Sequence, residues 1–172
     1  ILGPDTACLS LGTCATIDAV NDRYVELLPF LPPYPGAIPG TYCNEIPIVR
    51  GFWMVSWFKE EFGLQECMLA EKNNEPPEKF FDSLIQNVPA GSMGLMLQPY
   101  WTPGRDLDAY AKGSIIGFGD VHSRAHLYRA LLEGLVYGLR EGGELTQRKT
   151  KIPVNRLKVS GGGSQSDAAM QI

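Results

Sequence analysis

Two glycine bends carry most of the chemistry this sequence can offer. SLGT (Ser10–Thr13) lies between two apolar, β-rich runs. A glycine at a hairpin tip can bring bare main-chain N–H groups to an anion, and Thr13 adds a hydroxyl donor. The same four residues also fit an ordinary hairpin turn. GGGSQS (Gly161–Ser166) follows the strand-like NRLKVS, read as buried, and precedes DAAMQI, which opens as a helix. Glycine lets the main chain approach a flat or charged ligand without a Cβ clash. The start of a helix supplies free N–H groups and the positive end of its dipole. That arrangement can seat a nucleotide. Composition alone equally allows a flexible linker. On the residues themselves both bends stay open.

Other candidates are weaker. His122 and His126 stand four apart on one expected helix, but HxxxH without HExxH has no built-in base, so a histidine pair on the helix surface or in the packing is expected and no metal site is assigned. Arg129 and Glu133, also four apart, read as a helix-face ion pair worth roughly a few tenths of a kcal/mol. Phe52, Trp53, Trp57 and Phe58 read as core.

The elements that must position these groups follow from periodicity and punctuation. Residues 7–20 predict a β-hairpin around Gly12-Thr13. Six prolines within residues 29–47 predict a long loop with at most a short edge strand near Tyr42. Phe52, Val55, Phe58 and Phe62 recur at helical spacing, with Gly63 placed to end that helix. A second helix carries Phe80, Phe81, Leu84 and Ile85, with Pro89 beyond its end. Gly94–Thr102 reads as a strand. The longest helix is expected over Asp120–Glu141, with Asp120 as N-cap, a stripe of Val121, Ala125, Tyr128, Leu132, Leu135 and Leu139, and Gly142-Gly143 as its end. A polar connection over residues 143–155 then leads to the strand RLKVS. Strands interleaved with helices give an α/β or mixed-sheet domain.

Composition sets the bounds. The 172 residues are 44% apolar and 20% charged, ordinary for one globular domain that buries roughly 70% of its unfolded surface. A net charge of −4 argues against a nucleic-acid binder. No apolar run approaches the ~20 residues that span a bilayer. Cys8, Cys14, Cys43 and Cys67 form no CxxC pair and are expected as reduced thiols, which points to the cytoplasm. Ile1 and Ile172 look like cut ends, and the chain is expected to be part of a longer protein.

In their order, three segments resemble the FGGY-family carbohydrate kinases: SLGTCATIDAV, then GSMGLMLQPYWTPGRDLDAYAKGSIIGFGDVHSRAHLYRALLEGLVYGLRE, then LKVSGGGSQSDAAMQI. Gly113–Glu133 is similar to a signature of that family, with RALLEG at Arg129–Gly134 a close fit and Phe118 a departure at an aliphatic position. The resemblance covers nearly the whole chain. It implies an actin-like (ribonuclease H-like) ATPase domain with a mixed central sheet flanked by helices. Residues 1–172 would form a single domain, the C-terminal, nucleotide-binding domain of a two-domain sugar kinase, with the N-terminal domain absent. By that resemblance Gly12 and Thr13 contact the β- and γ-phosphates of ATP. Gly161, Gly162 and Gly163 pass close to the adenosine, Ser166 donates a polar contact, and Gly51 walls the adenine. Mg²⁺ bridges phosphate oxygens, and the γ-phosphoryl group goes to a hydroxyl of a sugar or polyol such as a pentulose or glycerol. The aspartate base lies upstream of Ile1; neither Asp5 nor Asp18 is nominated. The expected partners are ATP/ADP and, through the other domain, the sugar, with a homodimer left open and neither nucleic acid nor membrane. The alternative is a non-catalytic actin-like assembly or regulatory module.

Overall fold

The computed structural model describes Gly3, residues 5–102 and residues 110–172. The expected hairpin is there: β1 (Thr6–Leu11) and β2 (Ala15–Asn21) pair antiparallel, Leu11 facing Ala15, around Gly12–Cys14. The proline-rich stretch departs from expectation. Beyond the two-residue edge strand β3 (Tyr34–Pro35), Tyr42–Ile48 is a full strand, β4, paired with β2 along its whole length. Its only proline, Pro47, sits opposite Thr16 near the strand's end. The run Tyr42–Ile46 keeps all its donors, so the prolines before it could not break it.

The last strand, β7 (Arg156–Ser160), joins β1 in parallel and completes a mixed sheet of order β3-β4-β2-β1-β7. It is an edge strand whose five residues are all exposed, not the buried strand its apolar spelling suggests. Leu157 and Val159 do point to the apolar side, beside Ala7 and Leu9. No other described element covers them fully.

Helices lie on that apolar face. α1 (Trp53–Phe62) ends at Gly63 as expected, and a helix the periodicity missed, α2 (Leu64–Asn73), follows at once. In α1 the buried residues are Met54 and Phe58, while Phe62 is largely exposed. α3 (Pro77–Ile85) buries Phe81 and Ile85. The strand expected over Gly94–Thr102 shrinks to β5 (Met96–Gln98), paired with β6 (Ser114–Ile116).

The central helix, α4, spans Arg124–Thr150. It starts later than expected, capped by Ser123 and not Asp120, and leaves Val121 outside and exposed. It also runs nine residues past Glu141, through the stretch expected to be a connection. Gly142 and Gly143 do not end it. They are buried mid-helix, where a Cβ on Gly142 would come within 2.8 Å of Ile46 and 3.0 Å of Ile17. Glycine here lets the helix lie directly on β2 and β4, and burial outweighs its ~1 kcal/mol helix penalty. Tyr128, Leu131, Leu132, Leu135 and Leu139 form the central ridge of the core. α5 (Asp167–Met170) closes the described chain.

Candidate functional site

The two glycine bends share one groove. Gly12 and Thr13 from the β1–β2 turn, and Gly162, Gly163 and Ser166 after β7, line a cleft of about 410 Å³. That is within the ~300–1,000 Å³ of small-ligand sites. β1 and β7 are neighbours in register up to Ser10 and Ser160, so two bends at the same ends of adjacent parallel strands must emerge side by side. Phe52 ties them together. Its N–H donates to the Gly12 carbonyl at 2.9 Å, and its ring lies where a Cβ on Gly163 would stand, 2.5 Å from Cε1. Trp53 N–H donates to the Thr13 carbonyl at 3.4 Å, so the entry of α1 is spent on the turn.

Each glycine has a different reason to be there. Gly162 has open space where a Cβ would be, and Gly12 meets only the Cys14 carbonyl at 3.5 Å. These two leave the groove unobstructed. Gly161 has φ +94°, and a Cβ would come within 2.7 Å of the Leu11 carbonyl oxygen, so it is needed for the bend itself. Gly51 does not line the groove. It is buried against the main chain of Cys14 and Ala15, with no room for a side chain. The wall expected from Gly51 is formed instead by Phe52, Trp53, Val55 and Ser56.

The polar donors also differ from the first reading. Gly12 N–H is engaged by the Cys14 carbonyl at 3.1 Å. Ser166, buried, donates its hydroxyl to Asp82 at 2.6 Å and accepts from Ala169 N–H at 3.0 Å, while Ala168 N–H goes to Asp82 at 3.3 Å. The start of α5 is thus neutralised by Asp82. What lines the groove here is Gly162 and Gly163, together with Thr13 of the β1–β2 turn. The linker reading of GGGSQS falls, because the segment is a short 3₁₀ turn packed between β7 and α5.

Among the polar residues of the groove, sequence reasoning missed Ser56, Lys59, Glu78 and Gln165. Lys59 and Glu78 form a half-buried ion pair at 3.2 Å between α1 and α3. Ser56 and Lys59, three apart on the otherwise apolar α1, were the available signal. Tyr128 lines the floor; burial, helped by Asp82 and Glu78, raises its hydroxyl pKa well above the ordinary range.

The remaining candidates are structural. His122 Nδ1 accepts from Gly119 N–H at 2.7 Å and His126 Nδ1 from Ser123 N–H at 3.2 Å, so both rings serve the entry of α4. No group of three or more His, Cys, Asp or Glu placed for a metal ion occurs among the described residues. Arg129–Glu133, at 2.6 Å, is the expected helix-face pair with its carboxylate buried and its guanidinium partly so; Glu133 also accepts from Gly91 N–H at 3.0 Å and anchors a left-handed turn. Asp5 is paired with Arg156 at 2.7 Å, which holds its carboxyl below the usual range. Asp18 sits on the sheet face away from α4, opposite Cys8 and Glu45, and burial raises its pKa. The four cysteines are free thiols.

The chain is similar to known proteins over nearly its whole length. The sequence profile described as "FGGY family of carbohydrate kinases, C-terminal domain" matches residues 7–172. A sugar kinase of Escherichia coli K12 is 29% identical over 174 residues, covering 100% of this chain and 35% of its own length. A glycerol kinase of Saccharolobus islandicus is 40% identical over 132 residues, 76% of this chain and 24% of its own. The crystal structure of a xylulose kinase from Rhodospirillum rubrum superposes with a TM-score of 0.78 at 25% identity, over 98% of this chain and 32% of that one. The chain therefore spans about a third of the length of the proteins it matches most fully.

Proposed function

This chain belongs to the FGGY family of carbohydrate kinases, matching its C-terminal domain, and from that premise we propose that it is the ATP-binding half of a cytoplasmic kinase acting on a sugar or polyol. The observation that carries the proposal is the convergence of Thr13 and Gly162 on one groove. The open space at Gly12 and Gly162 fits a bound nucleotide, because a ligand can approach the main chain there without displacing a side chain.

In this reading the Thr13 hydroxyl and the turn around it hold the β- and γ-phosphates. Gly162 and Gly163 flank the adenosine, and Phe52 and Trp53 wall the base. Ser166 acts indirectly, by fixing the bend through Asp82. ATP with Mg²⁺ supplies the transferable phosphoryl group. A bond forms between the acceptor hydroxyl oxygen and Pγ, the bond from Pγ to the β,γ-bridging oxygen breaks, and ADP leaves. By the family resemblance the hydroxyl proton goes to an aspartate base; neither Asp5, held by Arg156, nor Asp18, on the sheet face away from α4, is given that role. The sugar is bound mainly by the kinase's other domain.

Titration calorimetry of the folded protein with MgADP and MgATP tests the proposal. Heat of binding is expected, together with a stabilisation of about 2.7 kcal/mol at a hundredfold excess over Kd. A folded sample that gives neither overturns the nucleotide reading and favours an assembly module without phosphoryl transfer.

A further inference from the structure

The groove shared by the two glycine bends also holds an ion pair. Lys59 of α1 donates to Glu78 Oε1, in the first turn of α3, at 3.2 Å. Both residues line the groove and both side chains are partly exposed there. Among the described residues neither has another hydrogen-bond partner. An ammonium with spare N–H donors and a carboxylate with a spare oxygen therefore stand together at the same space.

Their place along α1 says which part of a ligand they meet. Phe52 and Trp53 N–H tie the β1–β2 turn to the start of α1. Lys59 lies about 9 Å beyond Trp53 along the helix axis. On the nucleotide reading above, on which this inference rests, the phosphates sit at that turn, so the base is the part carried towards Lys59 and Glu78. The charges agree. A phosphate would be repelled by Glu78, whereas a neutral heterocycle answers the pair if it offers one donor beside one acceptor. Adenine has such an edge: its 6-amino group donates and its N1 accepts. Hypoxanthine carries the same two positions in the opposite sense, a 6-oxo acceptor beside an N1–H donor. We propose that Glu78 and Lys59 read the edge of the base, Glu78 accepting from the 6-amino group and Lys59 donating to N1, and so select adenine nucleotides.

Titration calorimetry of the folded protein with MgADP and with MgIDP reads the preference directly. MgADP is expected to bind about tenfold tighter, the step that one hydrogen bond to a charged group gives at a partly open site. Glu78→Gln offers a donor or an acceptor at the same place and should bring the two affinities together. Lys59→Glu with Glu78→Lys keeps the tie between α1 and α3 but exchanges donor and acceptor. It should invert the preference in favour of MgIDP, which a merely structural pair would not do. Equal binding of the two nucleotides by the parent protein, a comparison that needs no variant, overturns the inference and leaves the nucleotide reading standing. So does a preference that survives both variants unchanged. A folded protein that binds neither nucleotide overturns both readings.

Discussion

Gly161 and Gly162 are adjacent, yet they answer different demands, and substitution separates them. Gly162→Val adds bulk only to open groove space, so it should abolish MgADP heat while the unfolding midpoint barely moves. Gly161→Ala puts a Cβ at φ +94° and against Leu11, and should cost about 2 kcal/mol of stability, read by urea denaturation. If the two behave alike, the assignment of one to the ligand and one to the bend is wrong. Asp18 makes a second case. Burial raises its carboxyl above the ordinary value of 3.8, so the folded state binds the proton more tightly than the unfolded chain. Its contribution to stability is then best below that value and is lost as pH rises through the raised pKa. Asp18→Asn should accordingly stabilise the fold at neutral pH, with the advantage fading as the pH drops toward 3.8. An offset equal at both pH values would contradict burial as the cause.

At the level of elements, α4 shows how local signals compete. Asp120 and Ser123 both qualify as N-caps by residue type. Ser123 prevails because its N–H donates to His126 Nδ1 while its own side chain accepts from the His126 N–H, closing a reciprocal box. Ser123→Ala should cost about 1 kcal/mol, and Asp120→Ala close to nothing, in paired thermal melts. The far end was misread for a related reason. Two glycines in a row usually stop a helix, but Gly142 and Gly143 are packed where only a bare Cα lets α4 approach Ile17 and Ile46. RALLEG works in the same way. Glu133, held by Arg129, pins the turn at Gly91, and Gly134 admits the Leu97 carbonyl, so the most recognisable motif of the chain is chiefly a packing device that gives the groove only Leu132.

Across the whole molecule, long-range polar ties hold the helices to one another. Arg124 at the start of α4 forks onto Glu66 of α2, with contacts at 2.5 and 2.7 Å. Glu66 is nearly buried while the guanidinium is about a third exposed. Arg124→Met should therefore cost about 2 kcal/mol, below the ~3–5 of a fully buried pair. Adding Glu66→Gln should recover much of the loss, as chemical denaturation of both variants would show. A single variant as stable as the parent would mean that solvent already screens the pair.

The spelling of this chain was enough for its class, its hairpin, the order of its motifs and the two bends worth examining, because turn glycines, caps and 3.6-residue stripes are local properties. Tertiary structure decided what the bends are for. Only the parallel pairing of β1 with β7, across some 150 residues of sequence, sets Thr13 beside Gly162, and only the crowding around each glycine separates the open ones from the packed ones. Contact between distant segments is a matter of register and volume. Neither is written in any short window of residues, which is why Gly51 read as a wall and Lys59 did not read as part of the site at all.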